Sequence, residues 1–295
     1  MYDFKNLYEP TSVEEALKLK KEHPEALILA GGSDILIQIR EGKLAGCDLL
    51  NIYGLDALRG ICMEEDGSLL IRPLASFTDI TMHPLIKKHI PVLGEAVEQI
   101  GGPQVRNIGT IGGNICNGVT SADSAGTLKA YDAVLEIASI DGTRILPYAD
   151  FNLKPGKVDL RPGEILTGIR IPKASWENTY GDFIKYAMRK AMDIATLSCS
   201  VNVRLSSDKK KIERLRIAFG VAAPTPIRAF TAEKSAEGHA LNEGLLKKIS
   251  EGVLADVMPR TSWRASKEFR LHLVEELARR ATIASIEKAG GKING

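Results

Sequence analysis

Ala30-Gly31-Gly32-Ser33-Asp34 and Thr110-Ile111-Gly112-Gly113-Asn114 are the two stretches on which the reading of this chain turns. The first follows an apolar run, Ala26–Ala30, that reads as a buried strand. It precedes Ile35 and Ile39 at helical spacing, with Ser33-Asp34 placed to cap that helix. Glycines after a buried strand let backbone approach a ligand closely, and successive N–H groups can then point one way, as a pyrophosphate requires. The second stretch offers the same chemistry: Gly109 and Thr110 lead into Ile111, a glycine pair and the amide of Asn114. Asn117, Thr120, Ser121 and Asp123 add a row of short hydrogen-bonding side chains. Each turn alone is read as readily as an ordinary loop. Two of them in one domain, both flanked by isoleucines, fit a long ligand held at two points. Neither is a GxGxxG, and no GxxxxGK followed by Ser or Thr occurs, so a Rossmann site and a P-loop are both disfavoured.

Outward from these turns the chain alternates helix and strand signals. Ser12 with Glu15 suggests a capping box, and Val13, Ala16, Leu17 and Lys20 follow at helical spacing until Pro24. Pro91 opens a helix with Leu93, Ala96, Val97 and Ile100 on one face, and Gly101-Gly102-Pro103 ends it. Residues 106–124 are poor in charge and rich in Gly, Asn, Thr and Ser, the composition of a loop. Strands are expected at 133–138, 144–146 and 164–171, and Pro172 to Asn178 looks like a linker. Three antiparallel strands follow at about 182–189, 196–205 and 212–220. In the last, Leu215, Ile217 and Phe219 alternate with Arg214, Arg216 and Ala218, the pattern of a half-covered sheet. Helices at about 242–256 and 262–288 close the chain, with Trp263 expected to pack at the start of the second. The fold class is α+β, in two domains that meet near residue 176.

Composition narrows the function. With 295 residues, 44% of them hydrophobic, the chain can build two cores. Thirty-nine basic against 37 acidic residues leave a net charge of +2, which gives no footprint for nucleic acid or a membrane surface. No secretory signal opens the sequence, and Cys47, Cys62, Cys116 and Cys199 are too dispersed for a cluster or a zinc site. The expectation is a cytoplasmic protein that holds no metal of its own. The five histidines show no ligand spacing, and no catalytic acid, base or nucleophile stands out. Lys185-Tyr186-Ala187-Met188-Arg189 is a basic run; on a strand Lys185 and Arg189 share a face, set either to meet a phosphate or a flavin edge or to line a solvated strand edge.

The motifs carry a resemblance. Leu29 to Asp34, Thr110 to Gly118, Thr120 to Ser124 and Pro155-Gly156-Lys157-Val158 resemble the FAD-binding subunits of the molybdenum hydroxylases. Lys185 to Arg189, Phe219 to Pro226 and Ser262 to Lys267 point to the bacterial xanthine dehydrogenase branch, and the likeness spans almost the whole chain. It implies an FAD-binding domain of the vanillyl-alcohol oxidase (PCMH) type at 1–176 and a carbon monoxide dehydrogenase flavoprotein C-terminal-like domain at 177–290. It implies that Leu27, Ile28, Leu29, Ala30, Gly31, Gly32, Ser33 and Asp34 wrap the FAD pyrophosphate. Gly109, Thr110, Ile111, Gly112, Gly113 and Asn114 would make the second contact, Asp123 would meet the sugar-like chain, and Ile165 and Lys185 would reach the isoalloxazine ring. Where some relatives shield one flavin face with an aromatic, this chain offers Ile100. The implied partners are a large molybdenum-cofactor subunit and a small 2Fe–2S subunit, in a heterotrimer able to dimerise. The implied route takes electrons from those clusters through FAD to NAD+ during purine hydroxylation. The rival within the family is the medium subunit of a carbon monoxide, aldehyde or nicotinate dehydrogenase.

Overall fold

Two large sheets of different kind, with a small antiparallel pair of Asn152–Lys154 and Lys157–Val158, organise the first 176 residues of the computed structural model, which describes residues 2–294. Phe4–Tyr8, Cys47–Asn51 and Leu27–Leu29 pair in that spatial order, all parallel. Parallel neighbours need a crossover: helix Ile35–Arg40 lies between Leu27–Leu29 and its neighbour Cys47–Asn51, and the two outer strands are joined through helix Val13–Glu22. The Ser12 hydroxyl caps that helix by accepting from the Glu15 N–H at 3.1 Å. The Glu15 carboxylate accepts from Thr11 rather than closing the expected box. A complete box forms instead at Ser76 and Asp79, opening helix Phe77–Met82.

The second sheet is antiparallel, in the order Ile61–Met63, Leu69–Ile71, Ile165–Ile171, Val134–Ser139, Gly142–Pro147. Its central strand, Ile165–Ile171, joins two cores. Ile165 packs with Leu50, Ile52, Leu58 and Leu74 under the parallel sheet, and Ile169 and Ile171 belong to the larger core around Leu69, Leu93 and Leu135. The space between these two packed units is where a ligand can lie.

Residues 106–124 depart from the expected loop. Helices Pro103–Ile108, Ile111–Cys116 and Asp123–Ala130 occupy this region. Glycine lowers helix propensity, but tertiary packing overrides it here. Ile111, Gly112 and Ile115 are buried, and Gly112 lies so close to Pro73 that a β-carbon would come within 2.5 Å of its ring. The stretch from Pro172 to Asn178 is likewise docked rather than free. It holds the short helix Lys173–Trp176, with Trp176 against His89 at 4.3 Å and the Ser175 carbonyl accepting from Arg214 at 2.8 Å.

The second domain is a four-stranded antiparallel sheet, Tyr180–Tyr186, Leu197–Leu205, Ile212–Gly220 and Ile227–Arg228 in sequential order. Leu215, Ile217 and Phe219 face a core shared with helices Phe230–Ala236, Glu243–Gly252 and Lys267–Lys288. The opposite face is covered too, which alternation alone did not foretell. Helix Asp123–Ala130 of the first domain is buried on every side, Gly126 packs against Ala218, and Asn202 donates to the Ala130 carbonyl at 3.1 Å. Arg228 fixes the same junction, with Glu233 at 2.6 Å and Asp132 at 2.6 Å.

Candidate functional site

Both glycine turns line one cleft of about 590 Å³, within the range of small-molecule sites. Leu27, Ile28, Ala30, Gly31, Gly32, Ser33 and Asp34 form one wall, Thr110, Gly112, Gly113 and Asn114 another, and Ile165 joins them. Leu29, Gly109 and Ile111 stand behind the surface. Ile111 is fully buried in the core, and Gly109 supports Gly31 from beneath. The turns touch each other: a β-carbon on Gly31 would sit 1.8 Å from the Ile108 carbonyl oxygen. Only glycine permits that approach. Gly32 adopts φ +71, a left-handed conformation that also favours glycine.

The two turns differ in what they offer. Among the described residues, the backbone N–H groups of Gly31, Gly32, Ser33 and Asp34 donate to no protein acceptor. Asp34 makes no capping hydrogen bond; its carboxylate accepts from Gln38 at 2.5 Å, which leaves the first turn's amides uncapped. The second turn is satisfied internally. Ile111 N–H donates to the Ala75 carbonyl at 3.0 Å, Gly112 to Pro73 at 2.9 Å, Gly113 to the Thr110 hydroxyl at 3.2 Å and Asn114 to the Thr110 carbonyl at 3.0 Å. The two turns share small residues, a hydroxyl and a polar side chain, but differ in the state of their backbone amides. The first supplies donors, and the second supplies a bare surface at Gly113 and the side chain of Asn114, whose Oδ1 accepts from Ser124 at 2.7 Å.

Other wall residues set the electrostatics. Lys20 lies beside the first turn, donating to the carbonyls of Pro24 at 2.6 Å and Ala26 at 2.8 Å, and burial lowers its pKa. Its place at helical spacing after Ala16 and Leu17 was visible in sequence, but its role in a wall was not. Glu164, next to Ile165, is held by Arg144 at 2.7 Å and 2.9 Å and by the Arg161 N–H at 2.7 Å. Burial pushes its pKa up, and these partners more than offset that, so it stays below the usual value. Burial pushes the Cys116 thiol up to about 12, which makes it a protonated, apolar part of the wall. Ile100 lines the cleft, and so does Phe77, an aromatic from a helix the sequence reading did not connect to the site.

Asp123 and Lys185 do not line the cleft; they form a buried pair behind it, across the domain junction. The Lys185 Nζ lies 2.7 Å from Asp123 and 2.9 Å from the Gln99 carbonyl, with both side chains less than a tenth exposed. Burial raises the Asp123 pKa to about 6 against the pull of Lys185, and its Oδ1 has no hydrogen-bond partner. Lys185 and Arg189 do not share a strand face. The strand ends at Tyr186, because a turn closed by Arg189 N–H to Asp193 at 3.0 Å and Thr196 N–H to Tyr186 at 2.8 Å replaces it. Lys185 points inward and Arg189 is exposed.

The arrangement suits an elongated anionic ligand: unpaired amides for a diphosphate, and apolar walls at Ile100, Phe77 and Leu166 for a flat ring.

Comparison with known proteins identifies the family of both domains. A family model described as the FAD binding domain in molybdopterin dehydrogenase matches residues 2–174, and one for the CO dehydrogenase flavoprotein C-terminal domain matches 182–284. The putative xanthine dehydrogenase FAD-binding subunit of Escherichia coli (strain K12) is 45% identical over 293 residues, covering 99% of this chain and 100% of the relative. The glyceraldehyde dehydrogenase medium chain of Sulfolobus acidocaldarius is 30% identical, covering 92% and 94%. Among solved structures, a chain of carbon monoxide dehydrogenase from Hydrogenophaga pseudoflava superposes with a TM-score of 0.92 at 28% identity, covering 98% of this chain and 99% of that one. This α+β chain, matched over more than half its length by that FAD-binding model, thus belongs to the FAD-binding family of the molybdopterin dehydrogenases.

Proposed function

We propose that this chain is the flavin subunit of a cytoplasmic, multi-subunit xanthine dehydrogenase. A large partner would carry the molybdenum cofactor, and a small partner would carry 2Fe–2S clusters. FAD, when bound, supplies the relay between one-electron clusters and hydride transfer to NAD+. The chain's own residues bind and orient it. The free amides of Gly31 to Asp34 receive the diphosphate, while Leu27, Ile28 and Ala30 wall its approach. Gly113 and Asn114 meet the flavin from the opposite wall, with Gly109, Thr110, Ile111 and Gly112 holding them in place. Ile165 packs at the ring, and Leu29 backs the first turn. Asp123 and Lys185 act as a positioning pair behind the cleft: the lysine ties the carboxylate and the Gln99 carbonyl across the domain junction. The observation that carries the purine assignment is the 45% likeness over the full length, against 30% for the glyceraldehyde dehydrogenase chain.

The test is purification of the chain with whatever assembles on it, followed by turnover assays. The expected result is a yellow complex with molybdenum and iron that reduces NAD+ when given xanthine or hypoxanthine. Turnover of carbon monoxide, an aldehyde or nicotinate in place of purines would move the chain to that branch of the family. Electron delivery to O₂ alone would remove NAD+ as acceptor.

A further inference from the structure

Asn114 brings an amide side chain to the cleft wall, and an amide can meet a ligand either as donor or as acceptor. The group behind it decides which. Ser124 stands there on helix Asp123–Ala130, fully buried, with its hydroxyl 2.7 Å from Asn114 Oδ1. Among the described residues that hydroxyl has no other acceptor. A hydroxyl carries one proton, and a buried donor left without an acceptor is costly. Were the Asn114 amide turned over, its Nδ2 would donate to Ser124 Oγ, and the serine proton would be stranded in the core. The serine therefore fixes the amide with its oxygen inward and its NH₂ toward the cleft. The Asn114 Nδ2 donates to no acceptor among the described residues, so its protons are left for a ligand.

Ser124 is itself held in place by the second domain. Its neighbour Asp123 is tied to Lys185 at 2.7 Å, and Lys185 also donates to the Gln99 carbonyl at 2.9 Å. Two residues further on, Gly126 packs against Ala218, where a β-carbon would lie 3.7 Å from the carbonyl oxygen. Thr120, just before the helix, donates to the Ala223 carbonyl at 2.9 Å. Three ties to the second domain thus set the position of one hydroxyl on the flavin side. The second turn gains a donor by this route although its backbone amides are satisfied. With the free amides of Gly31 to Asp34 on the other wall, an anionic ligand meets donors from both sides.

We propose that Ser124 is a positioning residue: its hydroxyl holds the Asn114 amide so that Nδ2 donates to an acceptor oxygen of the bound dinucleotide. The inference rests on FAD lying between the two turns. FAD is titrated into the FAD-free full chain, and its dissociation constant is read from flavin fluorescence. Melts of each FAD-free variant report folding separately. Ser124→Ala and Ser124→Cys are expected to weaken FAD roughly three- to tenfold, the net worth of one hydrogen bond. The thiol of the second variant fills the hydroxyl's space but donates poorly. Asn114→Ala should weaken FAD at least as much, and Asn114→Asp more, because it turns an acceptor toward an anion. The deciding variant carries both changes. With Asn114→Ala in place, Ser124→Ala should cost no further affinity, because the serine acts only through that amide. An equal loss in both backgrounds, or a loss from Asn114→Ala with none from Ser124→Ala, would overturn the serine's role and leave the cleft. Unchanged FAD affinity in both Asn114→Ala and Gly113→Ala would overturn the cleft as the flavin site, and the proposal with it.

Discussion

Replacing Gly113 by Ala separates binding from folding at the second turn. Gly113 is the third residue of helix Ile111–Cys116, and a β-carbon there would touch only the Thr110 hydroxyl, at 3.0 Å. Alanine is favoured over glycine in a helix by about 1 kcal/mol. Displacing the Thr110 cap costs about the same. The two effects oppose, so the variant should be within about 1 kcal/mol of the parent without ligand. The new methyl enters the flavin cleft, however, and should weaken FAD at least tenfold, or about 1.4 kcal/mol. With FAD at 100 times the parent's Kd, the parent gains about 2.7 kcal/mol from binding and the variant about 1.4 kcal/mol. Thermal melts with and without FAD read the difference directly. Gly112→Ala is the contrast, because its β-carbon would meet Pro73 at 2.5 Å and should cost stability even without FAD. If Gly113→Ala keeps full FAD stabilisation, the second turn is not a flavin wall and the site must be redrawn.

Two further outcomes follow from buried charges. The Asp123 carboxyl is raised from its ordinary 3.8 to about 6, so its neutral form is favoured in the folded state. That contribution is present below pH 4 and is lost as pH rises through 6. Asp123→Asn should therefore gain on the parent between pH 4 and 6.5 in urea titrations; a constant difference across that window would refute the assignment. Arg228→Met strands Glu233, which is 3% exposed, and should destabilise the chain by about 3–5 kcal/mol, whereas Arg228→Met with Glu233→Gln should recover part of that loss.

Much of this was legible in the residues because the signals were local. Strand, glycine turn and helix at Ala26–Ile39 follow from short-range pattern, and so do the alternating residues of Ile212–Gly220. Other features were not, because their causes are distant in sequence. The helices between Pro103 and Ala130 have loop-like composition and form because Pro73, Ala75 and the second domain's sheet pack around them. The strand expected to 189 stops at Tyr186 because Asp193 folds the chain back onto Arg189. Trp263, expected to pack at the start of the last helix, stands exposed with Arg264 stacked on its ring.

By itself the sequence determined the α+β class, the glycine turns and their kinship, since turn chemistry and strand alternation are written in neighbouring residues. Only the tertiary structure decided how the turns differ. The free amides of Gly31 to Asp34 and the satisfied amides of Ile111 to Asn114 look alike in one dimension. Part of what distinguishes them is the backbone of Pro73 and Ala75, more than 30 residues away in the chain, which accepts from Ile111 and Gly112; Thr110 takes up Gly113 and Asn114, and among the described residues no protein acceptor meets the first turn's amides.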